Sequence, residues 1–479
     1  MTNALYIGIG PIIALTLGVV ILLMVEVTLH PPTRVWRLIS FGALIAGFIL
    51  AIVQWADAAN TPQPIFSHML MHDGFSAFGS IVLIIVAALG LLVAWPLVEA
   101  DKARGAELVA LVLLATIGLI LLVGAANLIM VFLGLEVASI SLYVIAGFIR
   151  RGARSNEAAV KYFLLGSFSS AVFLYGVALV YAATGTLEIT AFAGPGFSGP
   201  VESPILLVGI GLIVVGLGFK VSAAPFHMWA PDVYQGSASG VTGFMNAGAK
   251  IAGFAALARI LVISFDGQRG DWGPALAVIA ALSMIVGTVL AITQTDIKRM
   301  LAYSSVAHAG FIMTALVSGG AGIDALWFYV VTYAFQVVGA FGVVAAISGV
   351  ASGESSLTSY VGLGRRSPFL AGVLSLMMLA MAGIPLTAGF AGKFGVFRAA
   401  LEAGYTWLVV LALVASAVGL YFYLRVIVRV YIDEDAGDQP RVVITDGMRF
   451  ALTTVAVLTV AFGVNPAPLL TVVANALPF

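Results

Sequence analysis

The sequence contains no cysteine, which excludes disulfide bonds, thiolate metal sites and cysteine-ligated iron–sulfur clusters. Charge is also scarce, because only 9% of the 479 residues are Asp, Glu, Lys or Arg, whereas soluble domains average about 25%. Basic and acidic residues number 22 each, so the charge balance points to no nucleic-acid partner. Hydrophobic residues make up 61% of the chain, which predicts an all-α polytopic membrane protein surrounded by the lipid bilayer.

Apolar runs long enough to cross a bilayer recur along the whole chain. A spanning helix needs about 20 apolar residues, and we count about fourteen such segments. The first, ALYIGIGPIIALTLGVVILLMV, has no basic flank, so we expect a retained helix and not a signal peptide. The segments are centred near residues 14, 45, 86, 115, 138, 171, 216, 251, 283, 310, 337, 384, 418 and 458.

Cations alternate between successive loops. Cytoplasmic loops of membrane proteins collect Lys and Arg, so the alternation reports which loops share a side. Even-numbered loops and both tails hold only Arg269 and Arg398. This pattern predicts an even number of spans with both termini outside. The odd-numbered loops hold Arg34, Arg37, Lys102, Arg104, Arg150, Arg151, Arg154, Lys298, Arg299, Arg365, Arg366, Arg441 and Arg449.

Four charged residues lie several turns inside predicted spans: Glu136, Lys220, Lys250 and Lys393. Each charge at a helix centre costs about 2.5–3.5 kcal/mol on insertion scales, so the four together cost on the order of 10 kcal/mol. A structural ion pair is the alternative to a functional role. However, three lysines and one glutamate cannot all pair, and a buried pair is seldom a net stabiliser.

Lysine suits a proton relay better than arginine does. A lysine changes its pKa readily when it is buried, whereas arginine stays protonated. The three deepest cations are all lysines, as a proton path requires. Lys161 lies near the cytoplasmic start of its helix. The cations nearer helix ends are expected to extend to the membrane interface, and these are Arg259, Arg425 and Arg429.

Two predicted spans are interrupted. KVSAAPFHMWAP contains Pro225 and Pro231, and MAGIPLTAGFAGKFGVF contains Pro385. Proline removes a backbone donor, and the freed carbonyls need protein or water in a membrane. The interruptions fall in the seventh and twelfth spans, which are five spans apart. Because an odd number of spans reverses the orientation across the membrane, the repeats should be inverted, and Lys220 should correspond to the region of Lys393. The predicted single membrane domain comprises three N-terminal helices (1–104), a first repeat (105–265), a second repeat (273–431) and a C-terminal helix (449–479).

Four histidines are candidates for a functional role. His227 follows Pro225 on the cytoplasmic side of Lys220 and is a candidate relay partner. His308 lies near mid-depth of the tenth span, where a hydrogen-bonded core histidine is the alternative. His68 and His72 have the i,i+4 spacing of a metal pair but no further obvious ligand beyond the adjacent aspartate, so we expect no metal site. No phosphate-binding loop, HExxH motif or recognisable redox-cofactor motif is present.

Two segments carry a resemblance to a known family: APFHMWAPDVYQGS and QTDIKRMLAYSSVAHAGF. They resemble the antiporter-like membrane subunits of respiratory complex I, which is the bacterial NADH–quinone oxidoreductase, and of related multi-subunit cation/proton antiporters. The resemblance extends from about residue 70 to about residue 465, and the form PDVYQG favours complex I. It implies fourteen helices, two inverted five-helix repeats, discontinuous seventh and twelfth helices, and a hydrophilic axis within the membrane.

The resemblance also implies a function. We expect a proton-translocating subunit of the bacterial inner membrane, with both termini periplasmic and with sister membrane subunits as partners. It implies no cofactor in this chain, since flavin and iron–sulfur clusters belong to other subunits and quinone binds elsewhere in the complex. A sodium/proton antiporter subunit and a structural scaffold remain as alternatives. The residues matching the family's proton path are Glu136, Lys220, Lys250 and Lys393, with Lys161, His227 and His308 as auxiliary groups.

Overall fold

The computed structural model describes residues 2–58, 62–101, 103–149, 152–192, 203–349, 355–433, 442 and 444–476. These residues form an almost entirely helical bundle, and 11 helices are long and apolar enough to cross a membrane. The predicted all-α membrane fold is therefore confirmed. The other three predicted spans fall on two interrupted helices and on the more polar helix Ile297–Leu316. The count of fourteen spans and the repeat boundaries stay predictions.

Three long helices begin the chain: α1 (Thr2–Leu29), α2 (Thr33–Ala58) and α3 (Gly74–Ala100). A small antiparallel hairpin, β1 (Gln63–Ile65) and β2 (Leu70–His72), precedes α3. This hairpin was not predicted, because three-residue strands leave no recognisable alternation in the sequence. Asp73 caps α3, since its carboxylate accepts the backbone N–H of Ser76 at 2.8 Å.

The next group corresponds to the predicted first repeat. Its last helix continues into a π-helical turn at Ala258–Ser264. The helices are α4 (Gly105–Val123), α5 (Leu128–Ala146), α6 (Ala153–Thr184), the short α7 (Ile189–Phe192), α8 (Pro204–Lys220), α9 (Trp229–Gly236) and α10 (Ser239–Leu257).

The remaining helices cover the predicted second repeat and the C-terminal part. Short 3₁₀ turns at Asp266–Gln268, Gly319–Gly322 and Leu357–Tyr360 lie between them. The helices are α11 (Arg269–Ile292), α12 (Ile297–Leu316), α13 (Ile323–Ser348), α14 (Leu363–Arg366), α15 (Pro368–Ala382), α16 (Ala388–Glu402), α17 (Thr406–Tyr431), α18 (Asp446–Val464) and α19 (Ala467–Ala476).

Both predicted interruptions are present. The seventh segment stops after Lys220, passes through Ser222 at φ 60°, and resumes as α9. The twelfth stops after Ala382, turns at Gly383 with φ 87°, and resumes as α16. A residue with a Cβ is strained at such a φ, which explains the glycine at position 383. Each break leaves helix-terminal carbonyls inside the bundle, where they need donors.

Helices α10 and α13 form the centre of the bundle. In the most apolar stretch of 18 residues, 94% of the residues are buried in the segment that contains α10 and 89% in the segment that contains α13. The corresponding fraction for α1, at the edge of the bundle, is 22%. Polar side chains on α10 and α13 therefore face other helices and not lipid. These two helices supply several groups of the site described below.

Arg259 does not extend to the membrane interface as the sequence suggested. It is 3% exposed and pairs with Asp73, with Nη1 to Oδ2 at 2.9 Å, while Nε donates to the Val123 carbonyl at 3.2 Å. Burial alone would raise the pKa of Asp73, but Arg259 and the hydrogen bonds from Arg259 and Ser76 hold that pKa below its usual value. The prediction was wrong because the partner lies 186 residues earlier in the sequence.

We expect Asp73→Asn to destabilise the protein by about 3–5 kcal/mol, because Arg259 is then a buried and uncompensated cation. The measurement is loss of the folded, assembled protein on heating in detergent, followed on native gels. Glu99→Gln is the matched control, since Glu99 pairs with Arg37 at 3.1 Å while both side chains are about half exposed. Equal heat sensitivity of the two variants would contradict this role for the ion pair.

Candidate functional site

Lys220 lies at the last position of α8 and is 2% exposed. Its ammonium donates to the Ser139 hydroxyl on α5 at 2.8 Å. Glu136 lies one helical turn before Ser139, and its carboxylate accepts a short hydrogen bond from the hydroxyl of Ser170 on α6. Lys220 and Glu136 therefore lie close together but each has a serine as its hydrogen-bond partner. They do not form the direct ion pair that a purely structural role would require.

Glu136 is only partly buried, although the sequence placed it deep within a span. The α5 side chains around it, Leu133, Val137 and Ile140, are 36–57% exposed on the outside of the chain. Depth along the helix axis and burial between helices are separate properties, and the sequence reports only the first. Glu136 consequently connects the interior of this chain with its outer, apolar surface.

Lys250 on α10 is 1% exposed, and its ammonium donates to the Val221 carbonyl at 2.7 Å. Val221 immediately follows α8, so the ammonium meets the carbonyl end of a half-helix, where the helix dipole favours a positive charge. Gly253 allows this close approach, because a Cβ there would lie 2.5 Å from the Val221 side chain.

Lys393 on α16 has a similar arrangement at the second break. Its ammonium donates to the carbonyl of Ala382, the last residue of α15, at 2.9 Å and to the Ser416 hydroxyl at 2.8 Å. The repeat argument matched Lys393 with Lys220. Lys220 and Lys393 each donate to a serine hydroxyl, and Lys393 also shares with Lys250 a carbonyl acceptor at the end of a half-helix.

His308 on α12 lies within a cluster of tyrosines between the two breaks. Its Nδ1 is 2.9 Å from the Tyr329 hydroxyl, and its Nε2 is 3.1 Å from the Tyr423 hydroxyl. The His308 and Tyr333 rings are 4.6 Å apart, and the Lys250 ammonium is 5.8 Å from the centre of the Tyr333 ring. The cluster therefore connects the surroundings of Lys250 with the second half of the chain.

Sequence reasoning missed several polar groups beside this cluster. Both polar atoms of the Gln336 amide are buried without a hydrogen bond to any residue that the structure describes, and the buried Tyr333 hydroxyl lies beside Asn246 and Ser305. Buried polar groups are normally satisfied by protein or ordered water. Tyr329 and Tyr333 recur at i,i+4 in YVVTY, but this spacing alone resembles ordinary core packing.

Lys161 and His227 lie apart from the three buried lysines and from the tyrosines around His308. Lys161 is 2.6 Å from both Glu157 and Asp232 near the end of the bundle that the loop charges place in the cytoplasm. His227 is partly buried in the break between α8 and α9, and its Nδ1 has no hydrogen-bond partner among the described residues. Met228 beside it is 70% exposed, so this part of the break faces outward.

His68 and His72 have separate partners. His72 is buried with Nε2 2.8 Å from Asp57, while His68 lies 3.4 Å from Glu188. Their i,i+4 spacing would place both on one face only within a helix, and this segment is a hairpin.

The buried ammoniums of Lys220, Lys250 and Lys393 share one chemical property. In the part of the chain that the structure describes, their hydrogen-bond acceptors are hydroxyls and backbone carbonyls and not carboxylates. A lysine held by neutral acceptors can lose its proton without leaving an anion unpaired. The fold and site thus define a polytopic membrane protein with a series of ionisable groups within the bilayer.

Comparison with known proteins identifies the family. The model of the NADH:quinone oxidoreductase/Mrp antiporter transmembrane family matches residues 125–419. NADH-quinone oxidoreductase subunit N of Trichlorobacter lovleyi is 42% identical over 392 residues, which are 81% of this chain and 80% of that protein. Subunit N 1 of Solibacter usitatus is 40% identical over 460 residues, 95% and 94% of the two chains. A chain in the structure of respiratory complex I from Thermus thermophilus with bound Aureothin is 36% identical with a TM-score of 0.83, covering 97% of this chain and 100% of that one.

The chain therefore belongs to the NADH:quinone oxidoreductase/Mrp antiporter transmembrane family. The resemblance inferred from APFHMWAPDVYQGS and QTDIKRMLAYSSVAHAGF is confirmed. The curated relatives named above are subunit N proteins of NADH-quinone oxidoreductase, in agreement with the form PDVYQG, which favoured complex I.

Proposed function

We propose that this chain is the proton-translocating subunit N of a bacterial NADH–quinone oxidoreductase, driven by electron transfer in other subunits. The observation that supports this most strongly is the neutral coordination of three buried lysines, Lys220, Lys250 and Lys393. An ammonium held by a carboxylate tends to keep its proton, whereas one held by a carbonyl or hydroxyl releases it more easily. Such lysines can be loaded and unloaded in turn.

The proposed path begins at Glu136 and Lys220 and continues to Lys250 around the end of α8. From Lys250 it passes Tyr333 and His308 toward Lys393. Direct hydrogen bonds do not join all these groups, so water must complete the path. The unpartnered amide of Gln336, together with the adjacent polar groups of Tyr333 and Asn246, offers suitable partners for such water.

Other parts of the proposal concern the surroundings of this path. Lys161 and His227 act as auxiliary groups near the cytoplasmic side. The partners are other membrane subunits of the complex, including sister antiporter-like subunits. Glu136 and the apolar surface around it face outward, which suits contact with such a neighbour. The chain carries no redox group itself, and flavin, iron–sulfur clusters and the quinone site belong to other subunits.

Lys393→Met tests the proposal, since methionine has similar length but no proton to carry. We expect the complex to assemble and NADH-driven proton uptake into inverted membrane vesicles to fall by about ten-fold or more. Arg398→Met is the matched control on the same helix, because Arg398 is exposed and pairs only with Glu402 among the described residues. Normal proton uptake by assembled Lys393→Met would contradict the proposed path.

Two alternatives predict different outcomes of the same assay. A sodium/proton antiporter subunit would show ion exchange that requires sodium and proceeds without quinone reduction. A structural scaffold would tolerate neutral replacement of its buried lysines. Running the vesicle assay with and without sodium, and quantifying assembled complex on native gels, separates these two from proton translocation.

The loop charges predict that both termini face the periplasm. Reporter fusions should therefore place the predicted loops around Arg150–Arg154 and Arg365–Arg366 in the cytoplasm. The structure describes Arg154, Arg365 and Arg366 of these loops, whereas Arg150 and Arg151 lie outside the described residues. A fusion after residue 365 that reports a periplasmic position would overturn this orientation.

A further inference from the structure

Lys298 is a buried lysine that sequence reasoning assigned to a cytoplasmic loop. It lies on the first turn of α12 and is 1% exposed. Its ammonium donates to the Ser237 carbonyl at 2.9 Å, its only hydrogen bond within the described residues. The sequence does not show that this side chain turns into the bundle, because the neighbouring Asp296 and Arg299 are partly exposed.

The environment of Lys298 matches that of two proposed proton carriers. Ser237 directly follows α9, so the Lys298 ammonium meets the carbonyl end of a half-helix. Lys250 does the same at the end of α8, and Lys393 at the end of α15. In each case a neutral backbone carbonyl accepts a hydrogen bond from the ammonium. The fourth half-helix, α16, ends in a surface-exposed turn instead.

Asp296 is a nearby carboxylate whose charge favours the protonated form of Lys298, but no hydrogen bond joins the two side chains. Asp296 already accepts hydrogen bonds from Gln235 at 2.9 Å and from the Arg299 backbone at 3.0 Å, and also from Ser355. Arg154, on the first turn of α6, is the nearby cation. Lys298 is therefore not the structural partner of a carboxylate.

Polar groups lead from Lys298 into the bundle. Ser305 lies seven residues further on the same face of α12, which corresponds to about 10 Å. Its hydroxyl donates to Asn246 at 3.1 Å, and Asn246 lies one turn before Lys250 on α10. Asn246 also lies beside the Tyr333 hydroxyl, so polar groups continue from Ser305 toward Lys250.

On the other side, Lys298 lies near the cytoplasmic surface. A cavity of about 170 Å³ lies at the proposed cytoplasmic ends of α3, α10 and α13. It is lined by Ala238 and Ser239, the two residues after the Ser237 acceptor. Arg299, the residue after Lys298, is partly exposed and pairs with Asp232 on the first turn of α9.

We propose that Lys298 takes up protons from the cytoplasm and passes them toward Lys250, as a further proton-carrying residue. This inference rests on the proposed function. The ammonium releases a proton to water on the Ser305 side, and the resulting neutral amine regains one from cytoplasmic water. The Ser237 carbonyl holds the side chain in place during this exchange.

The first test compares Lys298→Met and Lys298→Arg in the assembled complex. Arginine keeps the positive charge and the hydrogen bond to Ser237 but does not lose its proton. We expect NADH-driven proton uptake to fall by about five-fold or more in both variants, in line with the loss of one proton-transfer group. Arg365→Gln, an exposed cytoplasmic cation, is the control and should pump normally. Normal uptake by Lys298→Arg would overturn the inference in favour of a structural cap.

The second test does not depend on replacing Lys298. Because the chain has no cysteine, Ala302→Cys and Ala307→Cys place single thiols on opposite faces of α12. Ala302 lies between Lys298 and Ser305, whereas Ala307 packs on Gly287 of α11. A charged methanethiosulfonate added to the cytoplasmic face should label Ala302→Cys about ten-fold faster, since thiolate chemistry needs water. Equal labelling rates of the two cysteine variants would contradict a water path at Lys298.

The outcomes separate this inference from the proposed function. If Lys220→Arg loses proton uptake while Lys298→Arg retains it, Lys298 is a structural residue and the proposed function stands. If Lys220→Arg pumps normally, the proposed path itself fails.

Discussion

Glu136→Gln is expected to leave an assembled complex with at least about ten-fold lower proton uptake. Glutamine keeps the shape of the side chain and can still accept the hydrogen bond from Ser170. It removes the charge that stabilises protonated Lys220 nearby. Because Glu136 and Lys220 are not directly paired, assembly should depend little on that charge.

Ser170→Ala serves as the control for packing around Glu136. This variant removes the hydrogen bond but keeps the carboxylate, so we expect a smaller loss of proton uptake than in Glu136→Gln. Quinone reduction and proton uptake should both be measured per assembled complex. If both stay normal in Glu136→Gln, Glu136 has a structural role only.

Lys220→Ala and Lys220→Arg are expected to assemble and both to pump poorly. Alanine removes the proton-carrying group and the hydrogen bond to Ser139. Arginine supplies a cation that can reach Ser139, but its pKa above about 12 leaves it protonated throughout a cycle. A structural cation predicts the opposite pattern, in which arginine restores function and alanine prevents assembly.

Much of the site could be predicted because a lone charge is conspicuous in an apolar run. Lys220, Lys250 and Lys393 were found in this way, and all three are buried. The breaks at α8 and α15 were found because proline and glycine in a membrane span change backbone hydrogen bonding locally. These features depend on short stretches of sequence, where composition alone carries the information.

The features that could not be predicted depend on contacts between distant segments. Arg259 pairs with Asp73 across 186 positions, and Lys220 donates to Ser139 across 81. The tyrosines around His308, on α13 and α17, look like ordinary core residues in the sequence. The burial of Lys298 is hidden in the sequence because its neighbours Asp296 and Arg299 are charged and partly exposed. In each case the outcome depends on which way the side chain points within its helical turn and on which distant segment packs against it. The local sequence does not specify either.

The most direct test of the central claim is proton uptake by assembled Lys220→Arg complex in inverted membrane vesicles during NADH oxidation. Uptake is normalised to the amount of complex on native gels, since the bulkier arginine can affect assembly. If a lysine must release its proton in each cycle, uptake per complex should stay about ten-fold or more below that of the unmodified protein. Near-normal uptake by this variant would contradict proton transfer through Lys220.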